Sequence, residues 1–240
     1  MTAVLIVSVM AVATTAGAVL LARWGRAASI NPVIAPGFAA GIMIWLALGE
    51  VAPESVEDIG RGATVAAMAA GAALVALASG IVARSPLSAG GFGAAPVIGV
   101  ALALHDVPEG FAVAAVLSGA GVVVALPMIA AVAGHNLAEK LAFVGAGGAD
   151  DPGAGAMPRW VVLAVATLPE PLGALVATAG AGVAPGVVDA AAPLAGGMML
   201  AVALGSLPSI AREVRRVRSF TAAGVGGAMS IAMLGVVLPG

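Results

Sequence analysis

Cysteine is absent from this 240-residue chain, and charge is scarce: Asp, Glu, Lys and Arg together make up 9% of it. Without cysteine there are no disulfides, thiolate metal sites, iron–sulfur clusters or cysteine nucleophiles. Soluble domains are about a quarter charged, so this chain has too little charge to cover a water-facing surface. A net charge of −2 gives no basic field for nucleic acid, and no lysine-rich patch is present to hold phosphates. Apolar residues dominate instead. Hydrophobic types reach 61%, and 34 residues are glycine. Small residues let helix backbones approach closely in lipid. The chain reads as an all-α polytopic membrane protein, with residues 1–240 forming one transmembrane domain.

A helix needs about 20 apolar residues to cross the hydrocarbon core. Eight segments approach that length: Thr2–Leu21, Val33–Ala52, Ala63–Val82, Ala95–Leu117, Val122–Val144, Trp160–Ala179, Ala190–Leu207 and Thr221–Leu238. A transmembrane barrel would show short alternating segments instead. The first segment has no basic stretch before it, a long apolar run, and Arg23 and Arg26 behind it. It therefore reads as a retained helix and not as a secretory signal.

Arginine orients the segments. The loops after the first, third, fifth and seventh hold Arg23, Arg26, Arg84, Arg159, Arg212, Arg215, Arg216 and Arg218, whereas the alternate loops hold only Arg61. By the positive-inside rule both termini lie outside, in a cell membrane (inner or plasma). Trp24 and Trp160 fall at the same cytoplasmic boundary, as interfacial anchors do.

Two short similarities run through the chain. His105-Asp106-Val107-Pro108-Glu109 recurs as His135-Asn136-Leu137-Ala138-Glu139 on the next segment. Ala40-Gly41-Ile42-Met43 with Ala47-Leu48-Gly49 resembles Ala195-Gly196-Gly197-Met198 with Ala203-Leu204-Gly205. Each pair lies on segments that cross in opposite directions. Inverted repeats with a polar site at their shared midplane are a transporter pattern.

Both histidines of the chain fall inside apolar segments, together with Asp106, Glu109, Glu139 and Glu170. Four ionised carboxylates at membrane depth cost on the order of 10 kcal/mol on insertion scales. Interhelical hydrogen bonds return only about 0.6 kcal/mol each. A divalent cation offsets that cost directly, because carboxylate and imidazole are ordinary ligands for zinc and its neighbours. Helical geometry sharpens the point. With His105 at zero, Asp106 falls near 100° and Glu109 near 40° around the helix. His135, Asn136 and Glu139 repeat the arrangement, so each helix offers two ligand directions with a glutamate between them. Opposed faces of this kind could hold two metals bridged by Glu109 and Glu139, with Glu170 closing the second site. Pro108 and Pro169 also free the Leu104 and Val165 carbonyls, since proline has no N–H. In lipid such breaks survive where the freed groups meet protein, water or an ion. The ten methionines read as adaptable packing rather than ligands.

These motifs resemble the ZIP family, the zinc- and iron-regulated-type divalent-metal transporters. His-Asp-Val-Pro-Glu-Gly at 105–110 resembles the family's fourth-helix signature, and His-Asn-Leu-Ala-Glu at 135–139 its fifth-helix motif. Leu168–Gly173 resembles the sixth helix and Gly41–Ser55 the second. The resemblance implies eight helices arranged three, two and three, with metal uptake toward the cytoplasm. It implies a first metal site from His105, Glu109, His135 and Glu139. A second would come from Asp106, Asn136 and Glu170, sharing the two glutamates. Zinc is the expected substrate, with Fe²⁺, Cd²⁺ and Mn²⁺ open. The expected partners are divalent metal ions and the lipid bilayer, with room for a homodimer.

Three departures from the family pattern stand out: Ala138 in place of a proline, Lys140 in place of a glycine or acid, and no histidine in the Arg84–Ala94 loop. Lys140 has two readings. Its ammonium, one turn beyond Asn136, could occupy the second site in place of a metal, or it could snorkel to the cytoplasmic interface. An outer vestibule of Glu50, Glu54, Glu57 and Asp58 could concentrate cations. The alternative function is a proton-coupled carrier of another small solute, since buried His and carboxylate chains also relay protons. An intramembrane zinc protease would need His-Glu-x-x-His. Here Asp or Asn follows each histidine, so the chain reads as a transporter and not an enzyme.

Overall fold

The structure is a computed structural model that describes residues 1–27, 33–85, 95–119, 121–146, 158–179, 185–213 and 215–237. Most of the Arg84–Ala94 loop and the Leu238 end of the last segment lie outside the described residues. Among those described there are helices and no strands. They are α1 (Thr2–Ala27), α2 (Ile34–Trp45), α3 (Ala52–Ile59), α4 (Arg61–Ala83), α5 (Ala95–Gly119), α6 (Gly121–Ala146), α7 (Arg159–Thr167), α8 (Pro169–Ala179), α9 (Pro185–Ala201), α10 (Leu207–Glu213) and α11 (Val217–Val237). A π-helical segment, Leu46–Val51, joins α2 to α3, and another, Val202–Ser206, joins α9 to α10.

Five described stretches are long and apolar enough to cross a bilayer, against the eight segments read from the sequence: Thr2–Gly25, Ile34–Ile59, Arg61–Ala83, Gly99–Gly119 and Trp160–Ala179. Ala190–Ser206 is apolar but shorter. Leu5, Leu20, Val65, Leu77, Val123 and Met233 are each exposed. Water-soluble proteins seldom expose apolar surface on this scale. Lipid is the solvent such a surface suits, and the chain is a membrane protein. Trp24 and Trp160 are also exposed.

Backbone contact at glycine sets the helix pairs. A methyl group on Gly41 would lie 1.8 Å from the Gly224 carbonyl oxygen, and one on Gly227 2.1 Å from that of Phe38. These contacts press α2 onto α11. Gly71 and Gly197 meet the carbonyls of Leu194 and Met68 at 2.1 and 1.9 Å by the same measure, pressing α4 onto α9. Gly110 and Gly173 meet those of Glu170 and Val107 at 2.0 and 1.8 Å, joining α5 to α8. Backbones this close exclude every side chain larger than hydrogen.

The two π segments coincide with the second sequence repeat. Leu46–Val51 contains Ala47-Leu48-Gly49, and Val202–Ser206 contains Ala203-Leu204-Gly205. The copies therefore share a backbone irregularity as well as residues. Segments of this kind are rare and concentrate at functional regions. Met43, Met198 and Met199 are buried in one apolar cluster with Val202 and Leu207, which is the packing role read for them. Between α3 and α4 the chain turns at Gly60, whose φ of +83° is accessible to glycine without a Cβ clash.

Candidate metal centre

Helices α5 and α6 bring the two histidine motifs face to face, and α8 adds Glu170. His105, Asp106, His135, Asn136, Glu139 and Glu170 have no exposed surface, and Glu109 is 4% exposed. All seven residues singled out from the sequence are thus buried. Glu170 reaches this region because Gly110 and Gly173 let its turn of α8 lie against the Val107–Phe111 backbone.

Each imidazole is moored to its own helix one turn back. Nδ1 of His105 donates to the Ala101 carbonyl at 2.9 Å, and Nδ1 of His135 to the Ala131 carbonyl at 3.1 Å. A carbonyl only accepts, so the proton sits on Nδ1 and the lone pair of a neutral ring is on Nε2. That is the arrangement in which histidine binds a metal. The Nε2 atoms point across the interface in a reciprocal exchange. His105 on α5 lies 3.0 Å from Glu139 Oε2 on α6, and His135 on α6 lies 2.9 Å from Glu109 Oε1 on α5. Asp106 Oδ1 is 3.1 Å from His105 Nε2.

These are ion-pair distances, and apart from these contacts both oxygens of Asp106 and of Glu139 have no hydrogen-bond partner. An unprotonated Nε2 and a carboxylate at such distances repel unless a proton or a metal cation lies between them. Ligand atoms about 2.0 Å from a tetrahedral zinc stand about 3.3 Å from one another. The observed separations are shorter by only a few tenths of an ångström. Two groups bring their ligand atoms within 4.8 Å of one another: His105 with Glu109 and His135, and His105 with Asp106 and Glu139.

No family model and no curated protein matches the chain.

The structure places two of these residues more closely than the sequence does. Asp106 gathers with His105 and Glu139, the latter being one of the two glutamates expected to be shared. Lys140 does not snorkel. It has no exposed surface, and its Nζ donates to Glu170 Oε1 and, at 3.0 Å, to Thr14 Oγ1. A carboxylate and a hydroxyl inside the bundle hold the ammonium. This is the single lysine of the chain.

Thr14 and Thr15 are buried polar residues beside the candidate site that the sequence did not single out. Thr15 Oγ1 donates to the Ala166 carbonyl at 2.9 Å and accepts from Thr167 Oγ1 at 3.1 Å. These bonds fasten α1 to the last turn of α7, just before the break at Pro169. Thr14 Oγ1 in turn donates to the Met10 carbonyl at 2.9 Å. Threonine in an apolar helix usually bonds its own backbone in this way, so spacing gave no signal of either role. Glu50, Glu54, Glu57 and Asp58 are all exposed around α3.

Proposed function

We propose that this chain carries a divalent transition metal, zinc first, across a cell membrane toward the cytoplasm. The reading includes eight crossings in a three, two and three arrangement with both termini outside, and membership of the ZIP family. Metal passes through the His–carboxylate compartment between α5, α6 and α8. The chain is a transporter without enzymatic chemistry.

The observation that carries the reading is the pair of moored imidazoles. Their Nε2 atoms lie 2.9–3.1 Å from three buried carboxylates, and two sets of these ligand atoms gather closely enough to enclose an ion. The shared π segments at the Ala-Leu-Gly repeats support the repeat architecture. Histidine with carboxylate and no thiolate suits zinc and leaves Fe²⁺, Cd²⁺ and Mn²⁺ as competing substrates.

Purified protein in proteoliposomes tests this. Saturable uptake of radiolabelled zinc, outcompeted by cadmium and unaffected by organic solutes, is the expected result. Uptake of an organic solute driven by a pH gradient, with no zinc flux, would transfer the site to the proton-coupled carrier.

A further inference from the structure

Two facts bear on how many ions the compartment holds at once. Both candidate groups use His105, and His105 has only Nε2 to offer because Nδ1 is committed to the Ala101 carbonyl. One ring nitrogen binds one metal. The two groups are therefore alternative positions for a single ion. Glu170 belongs to neither group.

The second compartment, which Glu170 would complete, already contains a cation. Lys140 is fully buried, and its ammonium bonds Glu170 Oε1 and Thr14 Oγ1. It sits one helical turn beyond Asn136, on the same face of α6. A buried lysine is accommodated only when paired and hydrogen-bonded, and here both conditions hold. The ammonium takes one oxygen of that carboxylate, Oε1, and leaves Oε2 without a hydrogen-bond partner; a divalent ion drawn to Oε2 would stand close to the ammonium, and like charges at contact distance repel strongly away from water.

On the reading that this site carries metal, we propose that the chain holds one exchangeable ion, in the His105 compartment. The Lys140 ammonium is the permanent cation of the neighbouring compartment and takes the place of a second metal. Glu170 then acts as the partner of lysine rather than as a ligand. Lys140 is a positioning residue, and its effect is read in stoichiometry.

The test is metal content of the full-length chain in detergent, equilibrated with excess Zn²⁺, passed through gel filtration and analysed for zinc per chain. Wild type is expected to retain about one zinc, on the single usable nitrogen of His105. Lys140→Gly frees Glu170 and is expected to retain about two, and Lys140→Gly with Glu170→Gln about one again. The double variant removes both charges together, so it remains folded if the single variant does not. Two zinc ions in wild type overturn the proposal while leaving metal transport intact. One zinc in folded Lys140→Gly overturns it as well. Zero zinc in every variant refutes the metal reading itself.

Discussion

Replacing Gly173 by alanine tests the mechanical basis of the site. The added methyl group would lie 1.8 Å from the Val107 carbonyl oxygen and 2.8 Å from the Phe111 nitrogen. Ordinary contact between such atoms needs about 3.5 Å, so α5 and α8 must part by roughly 1.5 Å at this crossing. The obstacle is main chain and cannot swing aside as a flexible side chain would. Overpacking of this kind costs about 1–3 kcal/mol, and a rigid obstacle places Gly173→Ala toward the upper end. The displaced turn of α8 carries Glu170, so its contact with Lys140 should loosen too. Thermal unfolding in detergent, followed by circular dichroism, should show a clear fall in Tm. Leu172→Ala is the control: Leu172 is 52% exposed, faces away from the crossing, and should unfold close to wild type. If Gly173→Ala and Leu172→Ala unfold at the same temperature, the backbone contact does not hold Glu170 in place.

Other substitutions separate metal affinity from stability. His105→Ala removes the nitrogen common to both ligand groups, and titration calorimetry with zinc should show at least a tenfold loss of affinity with insertion intact (about 1.4 kcal/mol or more). Glu170→Gln should do the reverse. It leaves Lys140 buried and unpaired, lowering stability by about 3–5 kcal/mol with little change in affinity, and adding Lys140→Met should restore much of that loss. A large affinity defect in Glu170→Gln would make Glu170 a ligand after all. Zinc uptake should fall as the outside pH is lowered, because protons compete for imidazole and carboxylate ligands and metal binding releases them. Uptake that rises in acid would speak for a proton-driven step. Neutralising Glu50, Glu54, Glu57 and Asp58 together should raise the apparent KM at low salt with turnover unchanged, since the field of exposed charges is screened by salt. An unchanged KM at every ionic strength would remove the vestibule.

Helix positions were legible because apolar runs of near-membrane length have little alternative to helix. Each of the eight segments overlaps described helix, the last as far as Val237, although only five described stretches are long and apolar enough to span a bilayer. The π segments were not legible: Ala-Leu-Gly carries no local signal for an extra residue in the turn, and only the repeat hinted that the two places correspond. In the site, the seven polar residues were identifiable because each is costly in lipid. Their partners were not. Angles around a single helix place Asp106 and Glu109 on neighbouring directions, but the rotation of α5 against α6 decides that Asp106 joins His105 and Glu139. Lys140 shows the same limit. Its position on α6 fits both an interface and an interior, and the deciding group, Thr14, lies 126 residues away on α1.

The glycine crossings also shape which sequences can do this work. A saturation-mutagenesis map of the chain should show two intolerant classes with different grammars. At His105, His135 and Glu139 the map should reject changes of chemistry, so that a residue of similar size fails. At Gly41, Gly71, Gly110, Gly173, Gly197 and Gly227, where main chain stands 1.8–2.1 Å from an added carbon, it should reject changes of volume, and alanine should fail as surely as aspartate. Drift in this chain is thus confined by space along three helix pairs and by charge at one point between them. The exposed apolar positions such as Leu77 and Val123, where one apolar residue serves as well as another, are where relatives should differ most.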